Sequence, residues 1–220
     1  MFPHTYFPPA MWLENGAPTG ASETFVANIG LQKLGAASIV SMSDDSREAR
    51  AMNSCYSLMR DRELRAAVWN FSVHREILAP SITVPEFGFN HAFLLPNGLL
   101  RILPPPCDVD WTIENIDSVP HLLTNDGEIL NLRFVKRVTD ATIFDVLFIE
   151  MLACKLAWHL CELITQSNTK KADLKDEYKD LRNEARRINA FEKPSPQEPI
   201  DPWLISRRTG TEMNWLRGGW

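Results

Sequence analysis

Long apolar runs are missing from this sequence. The most apolar stretch, Ile143 to Ile164, is interrupted by Asp145, Glu150, Lys155, His159 and Glu162, whereas a membrane-spanning helix needs about 20 predominantly apolar residues. A basic leader is missing too: Met1 to Leu13 carries no lysine or arginine and is broken by Pro3, Pro8 and Pro9, unlike a secretory signal. The expectation is a soluble chain made in the cytoplasm, with no membrane partner. Nor is there a basic surplus. The formal net charge is −5, with acids and bases interspersed, which gives no support to a free-standing nucleic-acid binder.

Catalytic constellations are equally scarce. The four cysteines, Cys55, Cys107, Cys154 and Cys161, form no C-x-x-C pair. Cys154 and Cys161 fall on one predicted helix, roughly 10 Å apart along its axis, too far to bridge. Buried, reduced thiols are the reading. The histidines, His4, His74, His91, His121 and His159, include no i, i+4 pair, so no H-E-x-x-H metal site is present. His159 reads as a core or interface histidine, and Glu150 and Lys155 as rim or interface charges. Gly30-Leu-Gln-Lys-Leu-Gly35 resembles a phosphate loop but ends a helix and lacks Gly-Lys-Ser/Thr. A G-x-S-x-G elbow is absent. A hydrolase would have only His91, His121, Asp108 and Asp110 to use, without recognisable geometry. The sequence therefore predicts a protein that is not an enzyme and takes no cofactor or metal.

What is present is a clear succession of elements. Residues 1–21 are rich in proline and aromatics without periodicity and read as an extended arm. Phe25, Val26, Ile29 and Leu34 share one helical face, with Ser22 as N-cap and Gly35 as stop. Asp45-Ser-Arg-Glu48 resembles a capping box with an Asp cap and opens a helix to about Val68. Met52, Cys55, Met59 and Ala66 mark one face of it, and Arg47, Arg50, Arg60, Arg62 and Arg65 the others. From Trp69 to Val138 short apolar runs alternate with turns. Strands are predicted at 69–78, 91–95, 99–103, 121–124 and 129–137. Pro96-Asn97-Gly98 and Asn125-Asp126-Gly127 are predicted hairpin turns, and Pro104-Pro105-Pro106 ends a strand.

Helix returns behind Thr139 or Asp140 as N-cap. Residues 142–165 are apolar on most faces and should lie centrally in a bundle. After a polar turn, 166–169, the last helix carries Leu174, Tyr178, Leu181, Ala185 and Ile188 as a narrow seam in a charged surface; the short link implies an antiparallel helix hairpin. The expected fold is α+β: a discontinuous antiparallel helical bundle, residues 22–68 plus 139–192, with a small antiparallel β-rich insertion, 69–138, and extended arms at 1–21 and 193–220. The last arm holds Pro194, Pro196, Pro199 and Pro202, yet also Trp203, Trp215 and Trp220. Tails that stay disordered are poor in aromatics, and tryptophan is a preferred interface anchor, so this arm should order against a partner. The arginine-rich second helix raises the alternative of a DNA-associated regulatory protein, against which the interleaved Glu48, Asp61 and Glu63 favour a solvated, salt-bridged face.

Phe25-Val-Ala-Asn-Ile-Gly30, the run from Ser46-Arg-Glu-Ala-Arg50 to Trp69-Asn-Phe71, and the layout of Phe144 to Arg187, with Glu184-Ala-Arg186 on the charged helix, together resemble the head-to-tail joining proteins of tailed bacteriophages. The closest similarity is to the tail tubular protein A family of short-tailed phages. The resemblance covers about Glu23 to Phe191 and rests on order and spacing; Met1–Ala21 and the length of the tryptophan-rich tail have no counterpart in it. It implies a virion protein, located at the neck of the particle, that forms a homo-oligomeric ring, usually of twelve copies. That ring sits between the portal protein and the tail nozzle protein, and viral DNA passes through it without specific binding. It further implies that the C-terminal segment reaches the portal, a role falling here on Pro199, Ile200, Asp201, Pro202, Trp203, Leu204, Ile205, Arg207 and Arg208, with Trp203 as anchor.

Overall fold

A computed structural model describes residues 21–82, 85–104, 110–127 and 129–192. Four helices and six strands are present among them: α1 (Glu23–Leu34), α2 (Arg47–Ala66), β1 (Val73–Leu78), β2 (His91–Leu94), β3 (Leu99–Ile102), β4 (Trp111–Ile116), β5 (Val119–Thr124), β6 (Leu130–Lys136), α3 (Val146–Thr165) and α4 (Asn168–Phe191). The fold is α+β, as expected. Compactness divides the chain at Arg187, and the described part of the second unit is the end of α4 and Glu192.

Local signals account for the helix ends. Ser22 accepts a hydrogen bond from the Phe25 amide (3.1 Å), and behind α1 the amides of Gly35 and Ala36 return to the carbonyls of Gln32 and Leu31. In the loop that follows, Asn28 holds Ile39 through both backbone groups, at 2.9 and 2.8 Å. The cap of α2 lies one residue later than predicted: Ser46, not Asp45, accepts from the Ala49 amide, while Asp45 pairs with Arg50. Its apolar face also differs. Met52, Cys55 and Met59 are buried together with Tyr56 and Leu64, but Ala66 is exposed. Asp140 caps a short 3-10 turn, Ala141–Ile143, and Asp145 caps α3, accepting from the Leu147 and Phe148 amides.

α3 is the centre of the helical core. Eleven of its residues are buried, it packs on α1 and α2, and Phe144 and Phe148 join Trp69 and Phe71 in one aromatic cluster with centroid separations of 5.1–6.3 Å. The closest approach is at Gly30, where an added Cβ would lie 3.0 Å from the Ala153 carbonyl oxygen. α4 returns along α3, burying Leu174, Tyr178 and Ala185 on its apolar seam.

The β region departs from the predicted hairpins. The strands form two three-stranded antiparallel sheets, ordered β1-β6-β3 and β2-β5-β4. Gly98 and Gly127 do take positive φ, 78° and 73°, but β2 and β3 belong to different sheets, as do β5 and β6. Asn97-Gly98 and Asp126-Gly127 therefore pass the chain from one sheet to the other. The β4–β5 connection is a two-residue hairpin through Asp117 and Ser118, φ 51° and 66°, a left-handed turn that matches strand twist without glycine. β4 is absent from the predicted strands, and the first strand begins at Val73 because Asn70–Ser72 forms a 3-10 turn behind Trp69. Phe134, Leu132 and Ile102 of one sheet pack with Phe93 and Leu122 of the other, while Leu100, Leu103 and Val135 face the helical core.

Three cysteines are buried free thiols, Cys55, Cys154 and Cys161; Cys107 lies outside the described residues. Burial pushes the Cys55 thiol up to about 11 and that of Cys154 up to about 12, from an ordinary 9.0. Between pH 9 and 11 an unfolded chain releases these protons and the folded chain keeps them, so stability falls as pH rises through this window. Lys155 acts in the opposite sense, since burial lowers its pKa and the cost of charging it fades with rising pH. The urea midpoint at pH 10.5 is expected to lie below that at pH 8.5. About 2 kcal/mol of the difference should vanish in Cys154→Ala, at roughly 1.4 kcal/mol per unit of displacement.

Candidate functional site

The segment that the resemblance points to, Pro199 to Arg208, lies outside the described residues. Three other groups of side chains carry candidate chemistry: the arginines of α2, a buried charged cluster at the α2–α3–α4 junction, and a groove on the sheets.

The α2 arginines are largely committed to their own chain. Arg47 donates to the Leu163 carbonyl, Arg50 to Asp45, and Arg65 to the Leu100 carbonyl. Arg60 is not on an outer face as predicted. It is 5% exposed and pairs with Glu23 and Asp61, both at 3.0 Å, and Asp61 in turn holds Arg137 at 2.7 Å. A guanidinium buried this way is retained because two carboxylates pair with it at the edge of the core, the Asp61 side chain partly buried and that of Glu23 more open to water. Arg62 is exposed, and Lys155 is its neighbour in charge. Burial takes Arg60 out of any outward-facing basic stripe, and Arg50 is partly offset by Asp45, which weighs against α2 as a DNA-reading helix.

The charged cluster was not legible in the sequence. Lys155, expected at a rim, is 4% exposed. Its ammonium sits 4.1 Å from the Trp158 ring centroid and 4.5 Å from that of Tyr178. Tyr178 donates to Glu63 at 2.8 Å, and Glu63 is 2% exposed. Burial lowers the Lys155 pKa, with Arg62 adding to the effect and Glu63 opposing it. Burial also pushes the Tyr178 phenol up to about 12, and Glu63 adds to this. A desolvated lysine of this kind is a common nucleophile or base, but two rings close this one off. The ammonium instead acts as a pin: cation–π contact of a desolvated lysine contributes about 2 kcal/mol, and here it joins α3 to α4, with Glu63 joining both to α2.

No protein-family model matches this chain, and no curated protein matches it either. The hydrolase candidates are not brought together. His121 is buried, with Nδ1 2.9 Å from the Val119 carbonyl. His91 lies opposite Thr124, three residues along β5 from His121, and three strand residues span roughly 10 Å. Asp110 is exposed, and Asp108 lies outside the described residues. His159 is exposed on α3 and not in the core. Among the described residues no group of three His, Cys, Asp or Glu side chains is placed to hold a metal ion, and no helix is long and apolar enough to cross a membrane.

The groove on the sheets has a volume of about 960 Å³. It is formed by the end of β1, the β2–β3 connection and the β4–β5 hairpin, and Arg65 of α2 closes one side. Its rim carries Ile77, Leu94, Ile113 and Val119, all exposed. The alternation of Trp111, Thr112, Ile113 and Glu114 was the signal available for β4; the groove itself has none, because it exists only where two sheets separate.

Proposed function

We propose that this chain is a virion structural protein, the head–tail connector whose ring joins the portal to the tail and lines the DNA channel. The observation that carries this reading is the order of elements: two helices, an antiparallel strand region, then an apolar helix and a charged helix. Long proline- and tryptophan-bearing segments flank them, at 1–20 and 193–220. This is the succession by which the sequence resembles the tail tubular protein A family.

Two physical features support it. A closed ring is built from heterologous contacts, and terminal arms enlarge such contacts without requiring a larger core. Arms that order only on assembly also let the free subunit stay monomeric until its platform exists. A conduit through which DNA slides gains from not holding phosphate. Twelve copies at −5 each would carry about −60.

The test is portal binding. A chain ending at Glu192 should keep the circular-dichroism spectrum and melting behaviour of the full chain and fail to co-sediment with purified portal. Trp203→Ala in the full chain should weaken portal binding by at least about tenfold, as expected of an interface anchor. Normal assembly of the shortened chain on portals would remove the C-terminal segment from this role, and tight, salt-sensitive DNA binding by the ring would contradict a non-stick channel.

A further inference from the structure

β1 and β4 are edge strands. Among the described residues β1 is bonded to β6 alone, and β4 to β5 alone. His74, Arg75, Glu76 and Ile77 are exposed in succession, as are Ile113, Glu114 and Asn115. Neighbouring residues of a strand point to opposite faces, so such runs mark an open edge. An open edge is a template for another chain.

The hydrogen-bond phase of each edge is fixed by what lies behind it. In an antiparallel sheet a central strand bonds to its two neighbours through alternate residues. The Leu103 amide donates to the Arg133 carbonyl at 2.9 Å, so Arg133 is turned toward β3. Arg75, opposite Arg133, therefore turns its own amide and carbonyl outward, as do Val73 and Ile77. The Leu95 amide donates to the Pro120 carbonyl at 3.1 Å, so Pro120 is turned toward β2. Asn115, opposite Pro120, therefore faces outward with Trp111 and Ile113. Among the described residues nothing bonds to these outward groups.

Antiparallel pairing of the two edges satisfies all of them in one register. Val73 then lies opposite Asn115, Arg75 opposite Ile113 and Ile77 opposite Trp111; between these, His74 faces Glu114 and Glu76 faces Thr112. A one-residue slip sets outward groups against residues turned inward. A two-residue slip sets Glu76 against Glu114 in one direction and against Asp110 in the other, and like charges directly opposite are unfavourable. β1 is guarded against itself in the same way. Its two longest in-phase registers would set Arg75 against Arg75 or Glu76 against Glu76. In the favoured register Ile77, 72% exposed, meets Trp111, and Ile113, 46% exposed, meets the stem of Arg75.

We infer that β1 of one copy pairs antiparallel with β4 of the next, with His74 opposite Glu114. Because the two edges differ, the contact is head to tail and repeats from copy to copy. The inference rests on the ring proposed above, for which it names a subunit contact.

Disulfide trapping of the full chain tests this. His74→Cys and Glu114→Cys are made separately, each with Cys107→Ser, and mixed under mild oxidant with and without purified portal. Opposed residues at a non-hydrogen-bonded position have Cα atoms about 4.5 Å apart, within disulfide reach. The mixture should give at least about tenfold more linked dimer than either variant alone, since only opposed residues meet that geometry. Thr112→Glu in the Glu114→Cys copy should lower the yield about threefold by facing Glu76, and Glu76→Lys in the other copy should restore it. Portal binding without links would overturn the inference and leave the connector reading standing. Links without portal binding would support the pairing and count against the connector; neither links nor binding would remove both. Links from either variant alone, links between Thr112→Cys and Glu114→Cys copies, or a yield indifferent to these charges would also overturn the inference.

Discussion

Trp69→Ala is expected to cost about 4 kcal/mol of folding stability, within the 3–5 kcal/mol seen for large aromatic deletions. Trp69 is 2% exposed. Its ring meets Phe148 edge-on at 5.1 Å and stacks with Phe71 at 6.3 Å, and its Nε1 donates to the Glu63 carbonyl at 3.0 Å. Three effects therefore act together: a cavity opens beside α3, aromatic contacts disappear, and a carbonyl near the end of α2 loses its donor. Total stabilities of domains lie at about 5–15 kcal/mol, so this is a large share. The urea midpoint should drop by roughly 1.5–2 M, with the slope unchanged if the transition stays two-state. Trp69→Phe separates the effects. It keeps most of the volume and loses the N–H, and should cost only about 1–2 kcal/mol. A shift below about 1 kcal/mol for the alanine variant would mean that the junction of helices and sheet is not built around this ring.

Gly30→Leu on α1 should cost about 3 kcal/mol, the upper part of the range for overpacked cores. The reason is the partner. The added Cβ would meet backbone, the Ala153 carbonyl oxygen at 3.0 Å, with the Met52 methyl at 3.3 Å on the other side. A flexible side chain would yield; a carbonyl within α3 yields only if the helix moves. Gly30→Ala is the informative control. Alanine gains about 1 kcal/mol of helix propensity over glycine against two tight contacts, of which the Met52 methyl can yield, so the net change should stay within about 1 kcal/mol. Equal melting temperatures for the leucine and alanine variants would show that α1 and α3 are free to separate here.

The helices were readable from the sequence because their signals are local. Ser22, Gly35 and the helical spacing of Phe25, Val26, Ile29 and Leu34 each act within a turn or two, although the buried face runs through Val26, Leu31 and Leu34 and leaves Phe25 exposed. Even the error at α2 was local: Asp45 and Ser46 are both good caps, and Asp45 takes Arg50 as its partner instead. The sheets were harder. Asn97-Gly98 and Asp126-Gly127 specify a turn, but a turn does not name the strand that receives the chain, and here each delivers it to the other sheet. The true hairpin uses Asp117-Ser118, which carries no glycine and gave no warning.

By itself the sequence determined the four helices, most of the strands, their order, and a proline- and aromatic-rich segment at each end, since periodicity, caps and composition are written in neighbouring residues. Only the tertiary structure decided which charges go inside. Arg60, Glu63 and Lys155 look like surface residues along the chain. Their burial depends on Glu23, Tyr178 and Trp158, and Glu63 and Tyr178 lie 115 positions apart. The groove was decided at the same level. Leu94 and Ile113 are ordinary strand residues until two sheets, joined at glycines that predicted hairpins, stand apart and leave them facing water.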